Sequence, residues 1–419
     1  MKKGNAVYAQ SGGVTSVINA SAFGVITEAM QSEWIETIYG GFQGINGILD
    51  ESLVNLGEED LEMIQLLRYS PGAALGSCRK KLPDMHKNRT EYERIIQVCE
   101  AHNIRYFFYN GGNDSMDTAW KISQFAEEMG YDMICVGVPK TVDNDLPVTD
   151  NSPGFGSAAK YNAVSILEGA YDVASMYRDS TKVFVLETMG RHAGWIAAST
   201  TLARKNPDDP PHIVLLPETM FNLDKFLVKV ETAIARHGYA VIAVSEGLRN
   251  EDGSFVAETG TTDSFGHAQL GGVVHAIQSM LKRFLKLKTH GAMLDYCQRS
   301  GRHLSSRVDV EQAIACGQHA VRLAEQGQNG QMVTIVRESN APYRWTVGQT
   351  SASNIANHEK IMPAEYISED GMDVTQAFYQ YARPLISGED YPAYLHGIPQ
   401  YSRLSLNLVD RKLPPFVKS

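Results

Sequence analysis

The chain has 419 residues, 43% of them hydrophobic and 21% charged, a balance that supplies core for two or three domains and needs no disordered region. Its formal net charge of −10, with no long basic run, argues against nucleic acid and anionic membranes as partners. Five cysteines without CxxC spacing indicate neither a disulfide framework nor a zinc site, and the N-terminus lacks the apolar stretch of a signal peptide, so a cytoplasmic setting is expected.

In chain order, residues 6–9 read as a short strand that runs into Gln10-Ser11-Gly12-Gly13-Val14-Thr15-Ser16. After it Val17, Ile18, Ala22, Val25 and Ile26 recur at helical spacing. A Gly-rich turn between strand and helix suits an anion, although the same turn alone has equal claim to be plain connection. Residues 34–44 read as another strand ending in a loop, and residues 71–80 as a Gly-rich loop closing on Arg79 and Lys80.

Residues 105–145 form one device. An aromatic run delivers Gly111-Gly112-Asn113-Asp114-Ser115, a helix-length stretch follows, and a second apolar run delivers Lys140-Thr141-Val142-Asp143-Asn144-Asp145. The pattern predicts a βαβ unit whose parallel strands end on one sheet edge, with the helix starting near Met116 under an Asp114 or Ser115 cap. Glycines admit an anion to the backbone, a helix N-terminus favours it, Lys140 can neutralise a transferring phosphoryl group, and a nearby carboxylate can take a proton or hold a metal. Either tip alone reads equally as a turn or polar loop. Two on neighbouring strand ends point to a ligand, because open α/β sheets bind outside the carboxyl ends of their strands.

Gly154-Phe155-Gly156-Ser157-Ala158-Ala159 has the form of a dinucleotide fingerprint but follows a polar loop, which rejects a nicotinamide site and leaves the start of a long helix, 157–177. Residues 182–187 predict a strand tipped by Met189-Gly190-Arg191, where Gly allows close approach and Arg a bidentate grip; His192 reads as a packing or surface residue. Two more strands, 213–218 and 240–247, flank a helix over 223–236, and Glu246 at a strand end needs polar partners. Residues 263–272 open a Lys-rich helix whose lysines read as a solvated face, Lys288 excepted. Residues 292–301 follow, then a helix over 308–326, a strand over 332–337 and an irregular tail without a site motif.

Residues 110–119 and 138–145 together resemble the two signature segments of the phosphofructokinase family, most closely its pyrophosphate-dependent branch. The Gly13 turn, Leu75-Gly76-Ser77-Cys78-Arg79, Met189-Gly190-Arg191, Glu246-Gly247 and Gln298-Arg299 resemble the family's other motifs in its order. The resemblance implies an α/β fold of two doubly wound, Rossmann-like parallel-sheet domains with a C-terminal extension. Residues 1–150 would bind the phosphoryl donor, 151–340 the sugar phosphate with the chain crossing back to the first domain, and 341–419 would form the extension. It also implies Mg²⁺-dependent transfer from pyrophosphate to the 1-hydroxyl of fructose 6-phosphate, in a homodimer or homotetramer.

By the same resemblance, Gly13, Arg79, Gly112, Asn113 and Lys140 hold diphosphate. Thr141, Val142, Asp143, Met189, Gly190, Arg191, Glu246, Tyr296 and Arg299 hold the sugar phosphate. Asp143 is the proton acceptor, Lys140, Asp114 and Arg191 complete the catalytic group, and Asn113 and Asp114 are the metal ligands. ATP-using relatives carry glycines where this chain has Asp114 and Lys140, which implies exclusion of ATP. Asn113 departs from the family's usual aspartate, and Lys182 and His290 stand where ATP-dependent members present arginines across a subunit boundary. The competing readings are an ATP-dependent enzyme and a non-catalytic sugar-phosphate-binding subunit.

Overall fold

The computed structural model describes residues 2–262 and 268–417. The elements that frame the site begin with β1 (Gly4–Gln10), α1 (Ile18–Ala29), β2 (Ile35–Gly41), β3 (Leu53–Asn55), α2 (Thr90–Ala101), β4 (Ile104–Gly111), α3 (Asn113–Glu128), β5 (Ile134–Pro139) and α4 (Phe155–Met176). They continue with β6 (Val183–Thr188), β7 (Ile213–Leu215), α5 (Leu223–His237), β8 (Ala240–Ser245), α6 (Val273–Leu285), β9 (Thr289–Met293), α7 (Cys297–Ser300), α8 (Arg307–Glu325), β10 (Gln331–Asn340), β11 (Tyr343–Ser351) and α9 (Gln376–Ala382).

Two sheets carry the fold. The first is seven-stranded in the order β11-β10-β5-β4-β1-β2-β3, and the second is four-stranded in the order β9-β6-β8-β7. Strands β2-β1-β4-β5-β10 are mutually parallel, as is the whole second sheet, and antiparallel β3 and β11 close the edges of the first. Alternation along each strand explains why helices cover both faces. In β4, Tyr106 and Phe108 pack with α1 and α8 on one face, while Phe107 and Tyr109 pack with α2 and α3 on the other. The second sheet is sandwiched likewise, Leu186 and Val241 facing α4 and Val185 and Ile242 facing α5 and α6.

Helix α8 follows the second sheet in sequence but packs on the first, against α1. The two helices approach so closely that a side chain on Gly24 would strike the Ile314 carbonyl, and one on Gly317 the Ser21 carbonyl. The chain then adds β10 and β11 to the first sheet, so the segment after 340 is not irregular at its start as the sequence suggested. Its pleated pattern is masked by the Asn340-Ala341-Pro342 turn that opens the hairpin.

Helix α3 begins at Asn113, earlier than expected, with Gly112 at its N-cap position and no side-chain cap. Residues 263–267, predicted to open α6, lie outside the described residues. Among the described residues no helix is long and apolar enough to cross a membrane.

Candidate active site

A cleft of about 990 Å³ lies where strand tips of both sheets converge. Its floor follows from the β4–β5 pairing, which sets Gly111 opposite Pro139 and lets Lys140 donate its backbone N–H to the Gly111 carbonyl at 3.1 Å. Gly111 must lack a side chain because Ser115, in the first turn of α3, folds onto it. The Lys140 side chain is 4% exposed and its Nζ donates to the Gly13 carbonyl at 2.6 Å.

Three cations meet at that glycine turn. A Cβ on Gly13 would lie 2.9 Å from Arg299 Nη1 and 3.4 Å from Arg79 Nη2, and one on Gly12 would lie 3.2 Å from Lys140 Nζ. Gly12 is held at φ +77°, which a glycine accepts without strain. Burial, then the neighbouring Arg79, pulls Lys140 down to about 8, and burial with Arg79 repulsion also lowers Arg299. Arg299 stacks on the Tyr296 ring at 3.9 Å, and its Nε is buried with no hydrogen-bond partner among the described residues. Like charges held this close to a bare glycine turn are a receptor for a polyanion, which relieves their repulsion.

The loop after β5 is fixed from several sides. The Thr141 hydroxyl accepts the Asp143 N–H at 3.0 Å, and Asn144, at φ +54°, donates to the Tyr381 hydroxyl and accepts from the Ser152 N–H. Asp143 thereby faces a space shared with Asp145, Glu246 and Arg191. Burial, then repulsion from Asp145 and Glu246, raises it to about 7, against the lowering pull of Arg191 and Lys140. Burial and then Glu359 likewise raise Asp145. A carboxyl group poised near neutrality beside cations has the properties of a general base for a hydroxyl.

The opposite wall comes from the tips of β6 and β8 and the start of α7. Gln298 Oε1 accepts the Met189 N–H at 3.1 Å, and Glu246 Oε1 accepts the Gly190 N–H at 3.3 Å. Burial raises the Glu246 carboxyl. Gly190 itself, at φ +125°, is not among the lining residues; it turns the chain so that Met189 and Arg191 are.

Of the residues singled out in the sequence, Gly13, Arg79, Gly112, Asn113, Asp114, Lys140, Thr141, Val142, Asp143, Met189, Arg191, Glu246, Tyr296 and Arg299 all line this one cleft. Lys182, Lys288 and His290 are not in the lining; Lys288 bonds Ser180. Among the lining residues to which the sequence assigned no role are His192 and Glu359. His192, a packing or surface residue on the sequence, meets Glu359 at 3.0 Å, and Glu359 comes from the tail that shows no motif. Adjacency to Met189-Gly190-Arg191 was the one signal for His192, and Glu359 had none.

For a divalent cation the donors are hard oxygens. Asn113 and Asp114 sit at the cleft edge, and Asp145 Oδ1 is buried with no hydrogen-bond partner among the described residues. Asp114 Oδ1 shares its charge with Lys81 at 3.1 Å, and no cluster of three or more metal-ligating groups exists among the described residues. That sparse set fits Mg²⁺, which takes one or two carboxylates and draws its remaining ligands from water and phosphate.

Residues 5–324 match the family description "Phosphofructokinase". The chain is 53% identical to the pyrophosphate--fructose 6-phosphate 1-phosphotransferase of Halomonas elongata, over 99% of this chain and 100% of that one. It is 52% identical to the protein of the same description from Methylococcus capsulatus, over 98% of each. The crystal structure of the pyrophosphate-dependent phosphofructokinase of Marinobacter aquaeolei covers all of both chains at 48% identity and a TM-score of 0.91.

Proposed function

The chain belongs to the phosphofructokinase family, and we propose that it moves a phosphoryl group between inorganic diphosphate and the 1-hydroxyl of fructose 6-phosphate. The observation that carries this reading is the convergence of Lys140, Arg79 and Arg299 on the Gly12-Gly13 turn, within the cleft that also holds Asp143.

Diphosphate lies on the glycine turns at Gly13 and Gly112, its charge met by Arg79 and Lys140. The sugar lies against Thr141, Val142, Met189, Glu246 and Tyr296, with Glu246 accepting from sugar hydroxyls. Arg299, which stacks on Tyr296 and reaches Gly13, bridges the sugar phosphate and the donor in this reading.

Asp143 takes the proton from the 1-hydroxyl as that oxygen bonds to the nearer phosphorus. The bridging P–O bond breaks, and its electron pair leaves with orthophosphate. Lys140 and Arg191 neutralise the charge that builds on the transferring and departing oxygens, so catalysis is positioning plus electrostatics. In the reverse direction, Asp143 returns the proton.

Mg²⁺ would be held by Asp114, the Asn113 amide and Asp145, and would supply charge neutralisation on the phosphate oxygens. Residues about 1–150 with 307–351 form the donor-binding unit and the second sheet the sugar-binding unit. The assembly is a cytoplasmic homodimer or homotetramer.

The test is a coupled assay with fructose 6-phosphate and Mg²⁺, offering diphosphate or ATP in turn. Turnover with diphosphate and at least a hundredfold less with ATP is expected, on the scale by which charge and shape discriminate donors, about 2–3 kcal/mol. Equal use of ATP, or silence with both, overturns the proposal.

A further inference from the structure

The family match ends at residue 324, yet a strap from well beyond it, residues 357–360, reaches the donor end of the cleft. Lys81 Nζ, 3.1 Å from Asp114 Oδ1, also donates to Asn357 Oδ1 at 3.1 Å. Asn357 Nδ2 donates to Asp117 Oδ1 at 3.1 Å, nearly one turn along α3 from Asp114. Asp114, Lys81, Asn357 and Asp117 thus close a ring onto a single helix.

The strap is tied at each of its next residues. The His358 carbonyl accepts from Asn113 Nδ2 at 2.9 Å, the Glu359 carboxylate lines the cleft and meets His192, and the Lys360 N–H donates to the Asp145 carbonyl at 2.7 Å. Asn357 is at φ +60°, the turn that lets the strap enter the cleft. Donor wall, proton-acceptor loop and sugar wall are therefore bridged by four consecutive residues.

The ion pair changes how Asp114 can discriminate. A carboxylate sharing its charge with Lys81 repels anions less than a bare one, so its value as a barrier depends on being held in place. We propose that residues 357–360, with Lys81, act as a donor-length gate: the strap pins Asp114 at the donor end of the cleft and sets the Glu359 carboxylate into the lining near Asp145, so that a third phosphate is excluded.

This rests on reading the cleft as a diphosphate site, and its test needs binding alone. Diphosphate and tripolyphosphate are titrated calorimetrically into the full chain and into Lys81→Met, Asn357→Gly and Glu359→Gln. Glycine keeps the φ of Asn357, and Lys81 is 47% exposed at its side chain, so neither change threatens the fold. Tripolyphosphate affinity should rise about tenfold relative to diphosphate in Asn357→Gly, a gain of about 1.4 kcal/mol, with smaller gains in Glu359→Gln and in Lys81→Met, where the release of Asp114 is set against the full charge it regains. A ratio that stays within twofold of the parent in all three variants overturns the gate, as does a parallel loss of affinity for both anions. If the parent binds no diphosphate, the underlying reading fails first and the gate with it.

Discussion

Asp143 and Lys140 lie three residues apart on one loop, and the same burial pushes them in opposite directions. Desolvation favours the neutral form of each, raising the carboxyl to about 7 and lowering the ammonium to about 8. In its proposed role as base Asp143 must be ionised, so activity should rise as pH climbs through the acidic step, which belongs to the Asp143–Asp145 pair and not to either residue alone. An electrostatic lysine must be charged, so activity falls as pH climbs through about 8. We expect a narrow bell in kcat/KM with limbs near those values, read in the free enzyme. Lys140→Arg should move the alkaline limb beyond the measurable range, since a guanidinium stays charged. Asp143→Asn should lower kcat by about 10²–10⁴ with little change in diphosphate KM. An alkaline limb that survives Lys140→Arg would assign that titration elsewhere.

At the scale of elements, the pairing of α1 with α8 is the joint by which the returning chain is fastened to the seven-stranded sheet. Gly24 and Gly317 face backbone carbonyls of the opposite helix, and neither carbonyl can swing aside without breaking its own helix. Gly24→Ala should therefore destabilise the protein by about 1–3 kcal/mol in urea unfolding, despite alanine's higher helix propensity. A neutral or stabilising result would show that the helices can part at no cost.

The start of α3 shows how such contacts overrule local preference. Asn113, Asp114 and Ser115 are each competent caps, yet Asn113 is drawn to His358 and Asp114 to Lys81, while Ser115 folds onto Gly111. The extended Gly112 takes the N-cap position instead.

Across the whole molecule, the tail returns to the seven-stranded sheet and is bound there by buried acids. Glu51 accepts from His102 and from the Lys412 and Leu413 N–H groups, and Glu59 accepts from the Ser405 and Leu406 N–H groups. Val409 also donates to the Leu53 carbonyl on the edge strand β3, so the tail covers an edge that would otherwise invite pairing with another chain. Glu51→Ala orphans several buried donors at once and should cost about 3 kcal/mol, with faster proteolysis near Lys412 as the local readout. Unchanged proteolysis there would show the tail to be anchored by other contacts.

The strand-tip chemistry was legible in the order of residues alone. Glycines, a lysine and carboxylates at the ends of apolar runs identify themselves locally, because strand period, turn chemistry and helix starts are short-range properties. What those tips share came from long-range packing. Arg299 reaches Gly13, nearly three hundred positions away, Glu359 arrives from a tail without a motif, and β10 and β11 join a sheet begun at residue 4. Those meetings depend on packing between distant helices and on which buried donor finds which acceptor, and neither is written in the spacing of neighbouring residues.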